Sequence, residues 1–197
     1  LKRPAFGTVC FPGSTELPYQ VHRSVSGKIA YVPDDRRKYG LMLFQSIWEN
    51  MVLVTAGVLK KFGFILDRYE IKRKVGERSA ALRINTQDYS CVVNNLSGGN
   101  QQKVLIGRWL EGDPEVVLLH DPTRGVDVGA KEEIYKVIRH LSHEGKVILF
   151  SSSEVSEYEY LCDKVYVFYE GKVCGILRNE EVRETALLEM MNTGNSL

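Results

Sequence analysis

The chain has 197 residues, 44% of them hydrophobic and 26% charged, which is the composition of a single globular domain with a sizeable buried core. Its 26 basic and 25 acidic residues give a formal net charge of +1, so charge gives no reason to expect nucleic acid or anionic lipid as the main partner. The longest apolar stretch, residues 51–59, is interrupted by Thr55 and Gly57 and is far too short to span a bilayer.

The start of the chain and its cysteines indicate a cytosolic protein. No charged-then-apolar signal segment opens the sequence. Its four cysteines are widely spaced and form no C-x-x-C pair, as in proteins with reduced thiols (Cys10, Cys91, Cys162 and Cys174). No cluster has the spacing of metal ligands, so we expect no resident metal. The chain begins with Leu1 rather than methionine, which is compatible with a fragment.

Strand and helix patterns alternate along the chain. The predicted elements are strands at 5–11 and 28–33, helices at 45–60 and 68–84, a helix from Ser97 to Leu110, a strand at 115–119, a helix at 131–142, a strand at 146–150, a hairpin of 166–169 with 172–177, and a final polar helix. The strands at 115–119 and 146–150 are continuous apolar runs, which is typical of strands buried on both faces. The order predicts an α/β fold with a mainly parallel sheet, whose ligands bind beyond the carboxyl ends of the strands.

One loop has the features of a phosphate-binding helix start. Ser97 is a good N-cap, and the first backbone N–H groups of the helix that follows have no partner inside the helix. These groups and the helix dipole favour an anion, and Gly98 and Gly99 carry no Cβ that would keep a phosphate away. The alternative is a simple capped turn with no ligand.

The wider context of this loop resembles a known family. L-S-G-G-N-Q-Q at 96–102 resembles the signature motif of ABC ATPases, and H-D-P-T-R-G-V-D-V-G at 120–129 resembles their Walker B strand end and D-loop. The R-G-V-D-V-G form resembles the C-terminal nucleotide-binding domain of sugar and nucleoside importers. This resemblance implies one domain over 1–197 with a P-loop NTPase-like sheet, a helical signature subdomain at about 45–112, and a C-terminal hairpin.

The resemblance also implies a division of labour between two such domains. In an ABC dimer, ATP lies between the Walker A loop of one domain and the signature loop of the other. The residues implied to contact nucleotide held by the partner domain are Ser97, Gly98, Gly99, Asn100 and Gln101. Asp127 matches the D-loop aspartate at the dimer interface. The implied cofactors are ATP and Mg²⁺, and the implied partners are a second nucleotide-binding domain, membrane permease subunits and, indirectly, a solute-binding protein. The expected location is the cytoplasmic face of the membrane.

The phosphate loop of the chain's own site departs from the family pattern. No G-x-x-x-x-G-K-[ST] motif is present, and the nearest candidate is the segment 10–17, with Gly13, Ser14 and Thr15 as nucleotide-binding candidates. Ser14 stands where a cation should neutralise phosphate charge. The alternative is an ordinary Pro-Gly turn. Only about ten residues separate Leu17 from Lys28, fewer than the family has there, so we expect a segment to be absent.

Four further positions of the chain's own site depart from the pattern. His120 stands at the Walker B aspartate, where imidazole is a poor partner for Mg²⁺; it could instead cap the strand end by hydrogen bonds. Asp121 keeps a carboxylate at the general-base position but is one methylene shorter than glutamate. Asp34 stands where the Q-loop glutamine is usual, and Ser153 stands at the switch histidine.

These departures share one direction. They fall on the chain's own ATP site, whereas the signature and D-loop residues that serve a partner keep the pattern. The sequence therefore predicts an asymmetric pair, in which this domain donates its signature loop to a competent site elsewhere. The alternatives are a non-catalytic interaction module that keeps the fold, and an ABC ATPase of DNA repair or translation.

Overall fold

The computed structural model describes residues 28–194 except for 55–59, 62–64, 67 and 87. A three-stranded parallel sheet lies at the centre of this part of the chain. Its strands are β1 (Ile29–Val32), β4 (Val116–His120) and β5 (Val147–Ser151), in the order β1-β4-β5. Val32 pairs with Leu119, and Leu119 pairs with Phe150, so all three strands end at the same edge. The predicted α/β fold with a parallel sheet is confirmed.

Two antiparallel hairpins accompany this sheet. The strands β2 (Lys60–Lys61) and β3 (Ile65–Leu66) form a short one, and β6 (Lys164–Tyr169) with β7 (Lys172–Arg178) forms the predicted C-terminal one. Glu170 and Gly171 connect β6 to β7 with φ angles of 46° and 78°. Two consecutive positive φ angles are the signature of the tight two-residue turn whose twist matches that of the strands.

Six helices are described. They are α1 (Ile47–Val52), α2 (Arg68–Ala81), α3 (Gly98–Leu110), α4 (Val128–His143), α5 (Ser156–Leu161) and α6 (Glu184–Thr193). Single turns of π-helix at Arg36–Gly40 and of 3-10 helix at Val93–Asn95 and Asn179–Glu181 complete the path. None of the helices in this part of the chain has the length and apolar content needed to cross a membrane.

Side-chain caps fix where three of these helices begin. Ser46 caps α1 and exchanges hydrogen bonds with Glu49 as a capping box. Ser97 accepts from the Asn100 N–H at the start of α3, as predicted, and Asp127 accepts from the Ala130 N–H at the start of α4. The two loops whose sequences resemble family motifs are therefore also the loops that start α3 and α4.

Helix α3 runs through the core and carries four polar side chains into it, those of Gln101, Gln102, Lys103 and Arg108. Every residue from Gln101 to Arg108 is buried. The Lys103 ammonium pairs with Glu133 of α4 and donates to the Arg83 carbonyl. The Arg108 guanidinium donates to the carbonyls of Gly40 and Asn50 and to the Asn50 side chain. These contacts join α3 to α1, to α4 and to the π-helical turn.

Two predicted elements were wrong in detail. The helix predicted at 45–60 begins after the Ser46 cap but ends at Val52, and Lys60–Lys61 is a strand. The strand β5 is not buried on both faces: Leu149 is 58% exposed. Within the described residues β5 pairs with β4 alone. The strand predicted at 5–11 lies outside the described residues.

Candidate functional site

The carboxyl ends of β1, β4 and β5 bring the predicted residues of the chain's own site together. The His120 Nδ1 atom is 4.0 Å from Asp34 Oδ1, and its Nε2 atom is 3.9 Å from Asp121 Oδ2. The Ser153 N–H donates to Asp121 Oδ1 at 2.6 Å. Asp34, His120, Asp121 and Ser153 thus form one cluster, as the parallel sheet predicts.

The Asp121 carboxylate is fixed by the segment that follows β5. Its backbone has φ of 45°, a left-handed conformation that aspartate tolerates better than most residues, and its N–H donates to Ser151 O at 2.7 Å. One carboxylate oxygen accepts from the Ser153 N–H. Asp121 therefore holds the end of β5 against the end of β4.

The buried Glu157 holds the segment after β5 through a hydrogen bond from Ser152. Glu157 is buried and accepts from Tyr135 Oη at 2.6 Å and from Ser152 Oγ at 2.5 Å. Burial and this hydrogen bond to Glu157 raise the pKa of Tyr135. The Tyr158 hydroxyl accepts from the Ser152 N–H at 2.8 Å and donates to the Ser152 carbonyl at 2.7 Å. Ser153, by contrast, is exposed, so its hydroxyl lies at the surface of a rigid segment.

This cluster does not fit a magnesium ion. Mg²⁺ requires oxygen ligands in near-octahedral geometry, and here an imidazole stands between two carboxylates. The Arg124 guanidinium lies 3.4 Å from Asp34 Oδ2 and supplies positive charge where the ion would. The His120 side chain is 48% exposed, and the carboxylate oxygens of Asp34 and Asp121 lie beyond hydrogen-bonding distance of it. His120 therefore does not cap the strand end through hydrogen bonds to these two carboxylates. Across the described residues no group of three or more His, Cys, Asp or Glu side chains is placed to hold a metal ion.

The segment 96–102 that resembles the signature motif, called the signature loop below, lies at the start of α3 beside the start of α4. Ser97 is exposed and Gly98 half-buried, so the first N–H groups of α3 lie at the surface. A Cβ built on Gly99 would collide with the Cβ of Ala130 in the first turn of α4. Two helix N-termini, each with the positive end of a dipole, are therefore packed side by side.

Asn100 and Gln101 hold this loop from inside. The Asn100 amide donates to Ser97 Oγ at 3.2 Å and its oxygen accepts from the Asn85 N–H at 3.2 Å. The Gln101 side chain is buried and donates to the Val93 carbonyl at 3.2 Å. Gln101 is therefore placed to support the loop rather than to reach a ligand at its surface.

Asp127 lies at the surface next to the signature loop. Its carboxylate accepts from the Ala130 N–H at 3.0 Å, and the residue is exposed. The next residue, Val128, is 79% exposed. The predicted interface residue therefore stands beside an uncovered apolar side chain.

Sequence reasoning missed Arg36. In the sequence the short basic stretch at 36–38 predicts solvated surface, with a phosphate or membrane-edge contact as the alternative. In the structure the Arg36 guanidinium is half-buried and reaches the loop after β4 and the side chain of Gln101. The signal in the sequence that could have indicated this role is the place of Arg36 shortly after a predicted strand whose carboxyl end lies at the site. Gly13, Ser14 and Thr15 lie outside the described residues.

Comparisons with known proteins agree with this geometry. The family model described as ABC transporter matches residues 1–124. The chain is 40% identical over 182 residues to the ribose import ATP-binding protein RbsA of Chelativorans sp., and 38% identical over 171 residues to the L-arabinose transport ATP-binding protein AraG of Geobacillus stearothermophilus. The alignments cover 92% and 87% of this chain but 36% and 33% of those proteins, so the chain spans about a third of the length of the curated relatives it matches.

Solved structures share the fold at lower identity. The protein cbiO1 from Clostridium perfringens, part of the ABC transporter complex cbiONQ, superimposes with a TM-score of 0.73 at 22% identity, over 97% of this chain and 74% of that one. A dimeric ATP-binding cassette in a post-hydrolysis state, bound to ADP and Pi, superimposes with a TM-score of 0.72 at 18% identity, over 91% of this chain and 76% of that one. These similarities show the P-loop NTPase-like fold.

Proposed function

Since the chain belongs to the ABC transporter family, we propose that it is the nucleotide-binding half of an importer that couples ATP binding and hydrolysis to uptake of a sugar or nucleoside. The names of the similar ribose and L-arabinose proteins support the solute class. In this proposal the partners are a second nucleotide-binding domain, fused or separate, and permease subunits that receive a solute from a binding protein. The domain then acts at the cytoplasmic face of the cell membrane, with residues 45–112 as its helical signature subdomain.

One observation carries the proposed role within the pair. At the start of α3 Ser97 is exposed and Gly98 is half-buried, whereas the end of β4 presents His120 where magnesium would need a carboxylate. We therefore propose that Ser97, Gly98, Gly99 and the first turn of α3 complete an ATP site whose phosphate loop belongs to the partner. The chain's own site then binds Mg-ATP weakly or turns it over slowly.

A surface beside α1 supports the proposed contact with permease subunits. Met42 and Phe44 are exposed, Phe44 to 85%, and Tyr39 is exposed in the preceding turn. The Asn50 side chain of α1 accepts from the Met42 N–H at 2.9 Å, which ties this loop to α1. Met51 is fully buried and Trp48 packs against the core, so these two residues serve packing.

Titration of Mg-ATP into the chain by calorimetry tests the state of its own site. Binding in the millimolar range, about −4 kcal/mol, or no measurable heat is expected, because His120 and Arg124 occupy the place of the ion and its ligands. Titration of the partner domain with an intact G-x-x-x-x-G-K-[ST] loop is the positive control. Micromolar binding to this chain, about −8 kcal/mol, would contradict an impaired site.

Replacing Asp121 with asparagine is expected to change ATP turnover of the assembled pair by less than about twofold, because asparagine keeps the acceptor for the Ser153 N–H and tolerates the positive φ. Steady-state phosphate release by the pair, reconstituted with its permease, measures this. The matched control is the same acid-to-amide change at the corresponding residue of the partner domain, which is expected to stop turnover. A loss above about tenfold in Asp121→Asn, with an unchanged melting temperature, would sink the asymmetric assignment.

A further inference from the structure

Arg36 lies where three loops of the site meet. It is the first residue of the π-helical turn Arg36–Gly40, just after β1. Asp35 caps this turn, accepting at 3.0 Å from the N–H groups of Arg37 and Lys38. The cap fixes the backbone of Arg36, and its side chain extends away from β1 toward the loop after β4.

The Arg36 guanidinium donates hydrogen bonds to backbone carbonyls rather than to a carboxylate. Nη1 donates to Arg124 O at 2.8 Å, Nη2 donates to Gly125 O at 3.1 Å, and Nε donates to the Gln101 side-chain oxygen at 3.4 Å. Among the described residues no carboxylate oxygen forms an ion pair with it. Burial, together with neighbouring Arg37, lowers the pKa of Arg36, yet a guanidinium remains charged at neutral pH. A planar fork with five donors is the side chain best able to hold two carbonyls and an amide at once.

Glycine at position 98 is what lets this fork lie under the signature loop. A Cβ on Gly98 would come within 2.7 Å of Arg36 Nη2 and within 2.9 Å of Gly125 O. Gly125 has φ of 64°, a conformation that favours glycine, in the loop whose carbonyl Arg36 holds. The close approach of the two loops therefore depends on both glycines and on the guanidinium between them.

We propose that Arg36 is a positioning residue that fastens the signature loop to the loop of residues 124–127, so that the two segments meet a partner domain as one rigid surface. This inference rests on the proposed function for its catalytic consequence, but its structural part concerns the chain alone. Arg36 acts through Gly98 and Gly125 and need not touch nucleotide.

Hydrogen exchange of the chain alone tests the structural part. Two amides report on the two loops: the Gln101 N–H donates to Ser97 O at 2.9 Å, and the Val126 N–H donates to Thr123 O at 3.2 Å. In Arg36→Gln both amides are expected to exchange about tenfold faster, because the hydrogen bonds from the guanidinium to the Arg124 and Gly125 carbonyls and to the Gln101 side chain are lost together. Arg37→Gln is the matched control, since the exposed Arg37 side chain bonds only to Asn94 Oδ1, at 3.1 Å, among the described residues. Unchanged exchange at either amide would overturn the proposal.

Turnover of the assembled pair tests the catalytic part. Arg36→Gln is expected to lower kcat by about tenfold with less than about twofold change in KM for ATP, because the residue orders the loop that completes the site and leaves nucleotide contacts in place. Arg36→Lys is expected to recover less than half of the loss, since one ammonium cannot hold two carbonyls in the fork geometry. Equal kcat in Arg36→Gln and wild type would overturn this role. A wild-type pair without turnover would instead refute the proposed function, and the exchange comparison would then decide the role of Arg36 by itself.

Discussion

Replacing Gly98 with aspartate is expected to reduce ATP turnover of the assembled pair by at least about 100-fold. The new Cβ has no room, because Arg36 Nη2 and Gly125 O lie 2.7 and 2.9 Å from its position. The new carboxylate would stand at the exposed start of α3, where the proposed function places the phosphates of ATP, and its charge would repel them. It would also draw the Arg36 guanidinium away from the carbonyls of Arg124 and Gly125.

The matched control for this variant is Gly76→Asp. Gly76 lies in helix α2, and a Cβ built there would meet nothing within 4 Å. The same chemical change is therefore expected to leave turnover within about twofold and to cost little stability, since glycine is itself a poor helix former. Phosphate release and thermal unfolding of both variants separate a functional defect from a folding defect. Gly98→Asp with turnover close to that of wild type would refute the assignment of the signature loop.

Replacing Arg108 with methionine is expected to lower the free energy of unfolding by about 3 kcal/mol. The Arg108 guanidinium is buried, and its hydrogen bonds satisfy the carbonyls of Gly40 and Asn50 and the Asn50 side chain. Methionine fills a similar volume but leaves these acceptors unpaired in the core. Burial lowers the pKa of Arg108 to about 10, so the group is still charged at neutral pH and the hydrogen bonds are charge-assisted.

Urea unfolding at neutral pH measures this difference, with Arg73→Met as its control. Arg73 forms two ion pairs on the surface of α2, with Glu70 at 2.6 Å and Glu77 at 2.8 Å. Exposed ion pairs of this kind contribute less than about 1 kcal/mol. The buried arginine, which forms no ion pair among the described residues, is therefore expected to matter more than the exposed one with two. A larger loss in Arg73→Met than in Arg108→Met would contradict this view of the core.

Local sequence signals predicted most of the described fold. Ser97 starts a helix because its hydroxyl accepts a hydrogen bond from the Asn100 N–H, which has no acceptor within the helix. The residue type and its place before the helical pattern were enough to predict this. Strand β4 and the turn at Gly171 were likewise predicted from short stretches. The prediction for residues 45–60 failed because an apolar run has no fixed period, so it does not show where a helix ends. Burial of β5 depends on what packs against its two faces, which its own residues do not encode.

The candidate site was predicted where a residue's role follows from its place on a strand or helix end. Asp34, His120, Asp121 and Ser153 cluster because parallel strands end together. Arg36 was missed because its contacts are 65 to 89 residues away in sequence, and nothing nearby distinguishes it from the exposed Arg37. Gln101 was expected at a ligand, but its position on the inner side of α3 becomes clear only once the helix is seen to run through the core.

The contact between Gly99 and Ala130 links two positions in their tolerance of mutation. The Ala130 Cβ occupies the space that a side chain at position 99 would need. The effect on stability of a substitution at position 99 therefore depends on the residue at position 130, and the effects of substitutions at the two positions are not additive. Glycine at 130 would make room for alanine at 99, so the harm of one change can be hidden by the other. We therefore expect residues 99 and 130 to change together in evolution, even though 31 positions separate them in the chain.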